Sequence, residues 1–118
     1  MQGDRIPVLK HLGEAEVIYI QSGSGVFTLG DKEQEVKEGS AAFVPKSVWH
    51  GLQNTGKEII RMIFCFTPSG FEEYFREIGS PVGIPWKGLS SEDWKAIDNK
   101  YGIVYKKVER AFASEKVC

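Results

Sequence analysis

Cysteine is nearly missing from this sequence: Cys65 and Cys118 are the only two among 118 residues. One thiol sits inside an apolar run and the other at the terminus, so no disulfide framework is implied and a reducing cytoplasm is the default setting. An excess of charge of one sign is lacking too. Fifteen Lys and Arg stand against sixteen Asp and Glu, interspersed along the chain, for a formal net charge of -1. Nucleic acid and anionic membrane surfaces both demand a concentrated positive field, so neither is the expected partner and a small molecule fits better. Long hydrophobic runs are absent. The longest, Met62 to Phe66, is strand-sized, far below the roughly 18 residues of a membrane span, and the opening MQGDRIPVLK has no apolar signal-peptide core. Glycine-rich phosphate loops and internal repeats are missing as well, and Ser69 has no base near it in sequence, which argues against serine nucleophilic chemistry.

What remains, with 42% hydrophobic and 26% charged residues, is the composition of one globular domain. From Glu16 to about Phe66 short runs rich in β-branched and aromatic residues alternate with turn signals. Glu16–Gln21 ends at Ser22–Gly25, and Val26–Leu29 returns through Gly30-Asp31 to Gln34–Lys37. Ala41–Val44 stops at Pro45, Val48–Gln53 runs into the turn Asn54–Lys57, and Ile59–Phe66, apolar on both faces apart from Arg61, reads as a central strand. After Pro68 the period changes. Ser69 and Glu72 have capping-box spacing, and Phe71, Tyr74, Phe75 and Ile78 line one helical face before Gly79. A second helix carries Trp94, Ile97 and Tyr101 and ends at Gly102. The pattern predicts an all-β barrel or sandwich over about 7–67, a helical appendage over about 69–102, and a tail over 103–118, within a single domain 1–118.

His11 and His50 are the only imidazoles, so a metal site must use one or both of them and recruit a carboxylate. Glu16 is the candidate. On one unbroken strand the odd spacing would put His11 and Glu16 on opposite faces, but Gly13-Glu14 offers a turn that lets both face inward. In the run leading from Pro45, His50, Leu52 and Asn54 share one face. Two imidazoles and one carboxylate leave coordination positions open, an arrangement suited to iron and accessible to manganese, nickel or zinc.

Two spacings resemble the cupin motifs. Glu16 and Gly23, separated by six residues, are similar to the second half of the first motif. Gly39, Pro45, the small residue Ser47, His50 and Asn54 fit the second nearly throughout, and Thr67–Gly79 with Lys100–Ile103 looks like the tail of single-domain, quercetin-dioxygenase-like cupins. The resemblance covers roughly residues 7 to 105. It implies a double-stranded β-helix, or jelly-roll barrel, with two C-terminal helices and an internal ligand cavity. It also implies metal ligation by His11, Glu16 and His50, with Glu16 serving as ligand or general base. Leu9 falls where the family has its first histidine, which marks either a three-ligand site with extra room or a degenerate pocket.

The function implied is a small-molecule-binding cupin, a divalent-metal-dependent enzyme of dioxygenase or isomerase type acting on a small oxygenated organic substrate. The rival is a non-catalytic ligand-binding cupin. Leu9, Tyr19, Trp49, Arg61 and Phe64 are the candidate pocket residues. Arg61 would clamp a substrate carboxylate, form an internal salt bridge or reach solvent, and Trp49 would be pocket wall, core or dimer interface. Family members with this tail usually have some tens of residues before the first motif, whereas eight precede Leu9 here. One or two strands would then be absent, leaving a sheet edge unpaired, and a homodimer is expected to cover it.

Overall fold

The computed structural model describes residues 3–106, so Cys118 and most of the expected tail lie outside the described residues. Consecutive short strands are distributed between two facing sheets. β1 (Arg5–His11), β3 (Gly25–Leu29), β4 (Lys32–Val36), β6 (His50–Asn54) and β8 (Ile103–Tyr105) form the larger sheet, in the order β4-β3-β6-β1-β8. β2 (Ala15–Ser22), β5 (Ala41–Val44) and β7 (Arg61–Thr67) form the smaller one, in the order β5-β2-β7. This is the double-stranded β-helix expected of the motifs, with its sheets facing each other and not closed into one continuous barrel.

Alternation decides which side chains meet between the sheets. On β2, Glu16, Ile18 and Ile20 are buried while Val17 and Tyr19 are exposed. Ile18, Ile20 and Val44 from the smaller sheet pack with Phe27 and Leu52 from the larger. Burying a side chain of this size contributes about 1.5–3 kcal/mol, so the face bearing Glu16 is held inward by its neighbours. Register slippage by one residue would turn that whole set outward.

Both turns of the second motif have a structural reason. Ser47 adopts φ +62°, a left-handed conformation uncommon outside glycine, and its N–H donates to the His11 carbonyl oxygen at 2.8 Å. Asn54 caps the far end of β6: its Nδ2 donates to the Glu58 carbonyl at 2.9 Å, and its Oδ1 accepts from the Gly56 N–H at 3.0 Å. Gly23 of the first motif has φ +87°, and a Cβ there would lie 2.8 Å from the Ile59 carbonyl oxygen, so only glycine fits.

The helices α1 (Glu72–Ile78) and α2 (Ser91–Lys100) pack across the other end of the core, where Phe71 and Tyr74 meet Leu9 and Ile103. Ser90 caps α2, its hydroxyl accepting the Asp93 N–H at 3.0 Å. The capping box expected at α1 is not formed. Phe71 occupies the N-cap without a side-chain bond, and Glu72 instead accepts the Gly70 N–H through Oε1 at 2.8 Å.

Two expectations are corrected. Ile103–Tyr105 is not tail: Gly102, at φ +70°, turns the chain out of α2 and lays β8 antiparallel on β1, pairing Leu9 with Tyr105 and His11 with Ile103. The strand within Ile59–Phe66 is not central either. β7 lies at the edge of the smaller sheet beside β2, and its outward residues Ile63 and Cys65 are exposed. Apolar character on both of its faces therefore does not reflect burial on both faces among the described residues. No helix among them is long and apolar enough to cross a membrane.

Candidate metal centre

His11 ends β1, His50 begins β6 and Glu16 lies near the start of β2, so the two imidazoles come from the larger sheet and the carboxylate from the facing one. The break over residues 12–14 separates β1 from β2 and removes the parity conflict between His11 and Glu16. All three side chains are buried, at 5%, 6% and 4% exposure for His11, Glu16 and His50. One donor atom from each can be chosen so that all lie within 4.8 Å of one another. Glu16 Oε1 stands 3.1 Å from His50 Nε2 and 3.6 Å from His11 Nε2.

Hydrogen bonding then fixes what these atoms lack. His50 Nδ1 is 3.1 Å from the Val48 carbonyl oxygen; a carbonyl only accepts, so Nδ1 carries a proton and Nε2 is the ring atom turned toward Glu16. Glu16 Oε1 is buried without a hydrogen-bond partner. A carboxylate oxygen and a ring nitrogen therefore face each other at 3.1 Å, which is favourable only if a proton or a metal cation lies between or beside them. Burial, reinforced by the nearby His50, lowers the His11 pKa from 6.5 to about 4, leaving that ring neutral at pH 7 as a ligand requires. The residues present fit a divalent cation.

The donors open onto a cavity of about 110 Å³. Its walls are Ile6, Leu9, Ile18, Phe27, Leu52 and Met62, with Phe64, Phe66, Phe71, Tyr74 and Phe75 at the side nearest the helices. The His11 ring makes edge contacts with Phe66 and Phe71 at 5.2 and 4.8 Å between centroids. Phe64 is 36% exposed and stands at the mouth. Leu9, fully buried, pairs with His50 across β1 and β6 and fills the wall beside the donors.

The other sequence candidates do not line this cavity, and strand parity or position accounts for each. Tyr19 projects with Val17 from the outer face of β2, and exposed Arg61 shares the outward parity of Ile63 and Cys65 on β7. Trp49 precedes β6, with the Lys10 ammonium 4.5 Å from its ring centroid. Phe71, Tyr74 and Phe75 are readable as packing residues from their spacing, but their place on the cavity wall depends on how the helix docks.

Comparison with known proteins agrees with this architecture. The family model described as Cupin domain matches residues 1–66. An oxalate-binding protein of Thermotoga maritima is 37% identical over 54 residues, covering 46% of this chain and 45% of that protein. An uncharacterized protein of Methanocaldococcus jannaschii is 30% identical over 66 residues, 56% of this chain and 53% of that one. The chain thus spans about half the length of the curated relatives it matches. Among solved structures, a predicted oxalate decarboxylase of Thermotoga maritima superposes with a TM-score of 0.53 at 31% identity, covering 55% of this chain and 56% of that one.

Proposed function

Because the chain belongs to the cupin family, we propose that it is a metal-dependent small-molecule cupin in which His11, Glu16 and His50 hold one divalent ion, iron, manganese, nickel or zinc. The observation that carries this is the convergence of Glu16 Oε1 with Nε2 of His50 and of His11, at 3.1 and 3.6 Å, in a buried site. A bound ion would supply Lewis acidity toward an oxygenated substrate, and one-electron chemistry if it is redox-active. The chain's own residues define the rest. The Val48 carbonyl accepts from His50 Nδ1 and orients the ring, the walls are largely apolar, and Glu16 is the one carboxylate lining the cavity among the described residues. A dioxygenase or an isomerase reaction would both use that carboxylate, as ligand or as proton acceptor. The setting proposed is cytoplasmic, where the exposed Cys65 remains a free thiol.

The fully buried Leu9 favours a second reading, a non-catalytic pocket that binds a small organic ligand without metal. Elemental analysis separates the two. Protein purified without chelator or metal-binding tag, loaded in turn with each metal and desalted, is expected to keep close to one equivalent of at least one of them. Retention of none would make the metal-free pocket the better account.

We also propose a homodimer. β7 lies at a sheet edge, and the outer face beside it exposes Val17, Tyr19, Phe43 and Ile63. A second copy adding its strand there would satisfy the edge and cover that face. Light scattering coupled to gel filtration is expected to give twice the chain mass at micromolar protein; a monomer would refute the dimer.

A further inference from the structure

Resting on the metal reading above, the charge of the donor set and the lining of the cavity together restrict the ligand. Two neutral imidazoles and one carboxylate around a divalent ion leave a single positive charge. No Lys, Arg or further acid lines the cavity among the described residues. The Tyr74 hydroxyl donates to Asp98 Oδ1 at 3.2 Å, so that polar group is already engaged. One negative charge brought in by a ligand would neutralise the site. A second would stay uncompensated against Leu9, Phe66, Phe71 and Phe75, where burying an unpaired charge is costly.

Size and wall chemistry narrow the choice further. The cavity is about 110 Å³, smaller than the apolar cavity of roughly 150 Å³ known to accept benzene, so a ligand body of more than one ring is excluded from it. Phe64, Phe66 and Phe75 meet at centroid distances of 5.5 to 6.5 Å, lining the way in from the mouth with ring surface. We propose that the site selects a small monoanion with an apolar body of about one ring, its oxygen end toward the donor triad, and discriminates against compact dianions. A relative bearing the name oxalate-binding protein makes this a sharp contrast, because oxalate is a compact dianion.

The test uses the full chain loaded with zinc, titrated calorimetrically at pH 7.5 with benzoate, malonate and oxalate, with metal content measured on the same sample before and after. Benzoate is expected to bind at least about tenfold more tightly than either dianion. Equal or tighter binding of malonate or oxalate with zinc retained would overturn the proposal and leave the metal reading intact, as would absence of benzoate binding to the zinc-loaded protein. Where zinc is lost before any ligand is added, the titration is run with whichever of iron, manganese or nickel the protein keeps, and retention of none of the four would overturn the metal reading and this inference with it. Phe64→Arg places a cation at the half-open mouth and is expected to shift the benzoate-to-malonate preference toward malonate by about tenfold or more. A folded Phe64→Arg protein with an unchanged preference would refute the charge argument.

Discussion

His50→Ala is expected to release the metal that the unaltered protein keeps through desalting, weakening its affinity by at least about 100-fold. Removing only a partner that orients a ligand typically costs 10–100-fold, so losing one of three donors sits at or beyond the top of that range. The substitution removes Nε2 beside Glu16 Oε1 and frees the Val48 carbonyl that holds the ring. Competition against a chromophoric chelator measures the change, and circular dichroism establishes that the variant remains folded. A folded His50→Ala protein with unchanged affinity would mean that the ligand assignment is wrong.

Leu9→His is expected to act in the opposite direction on metal and to lower the stability of the fold. Leu9 is fully buried against Phe71, Tyr74 and Ile103 and lies across from His50. An imidazole there would lose that packing and bury a polar ring, costing the metal-free protein about 2–5 kcal/mol. With metal present the new donor gains a partner, and affinity should rise by about tenfold or more. Thermal unfolding with and without zinc reads both effects: a lower midpoint without metal and a larger metal-induced rise than in the parent. Lost stability with no gain in affinity would indicate that position 9 contributes only apolar wall.

Much of this site is legible in the sequence because its spacing has a backbone cause. Glu16 faces inward by the same alternation that buries Ile18 and Ile20, and Gly23 stands where a Cβ would strike the Ile59 carbonyl. The Gly39 to Asn54 spacing corresponds to β5, the left-handed turn at Ser47 and β6. Other features depend on partners that sequence pattern does not specify. Tyr19 and Arg61 have the wrong parity for the cavity, but choosing the inward parity requires knowing which sheet each strand faces. Met62, Phe64 and Phe66 share the inward parity of β7, so the alternation that identifies Phe64 as a lining residue applies equally to its two companions. The apolar run of β7 suggested a central strand, since composition reports what a strand prefers to contact and not whether a neighbour is supplied. β8 was hidden by its length: three residues after a helix carry too little periodicity to distinguish a strand from a tail.

That short strand also gives the molecule a temporal order. Pairing Leu9–His11 with Ile103–Tyr105 joins the beginning of the described chain to its end. On a ribosome, which delivers the chain from its N-terminus, β1 must wait for both helices to emerge before its second hydrogen-bonding edge can be occupied. Closing so long a loop carries an entropic cost that local hairpins such as β3–β4 escape. Of the described strands, the one bearing the first histidine thus precedes all the others in the chain and gains its second neighbour only from the last.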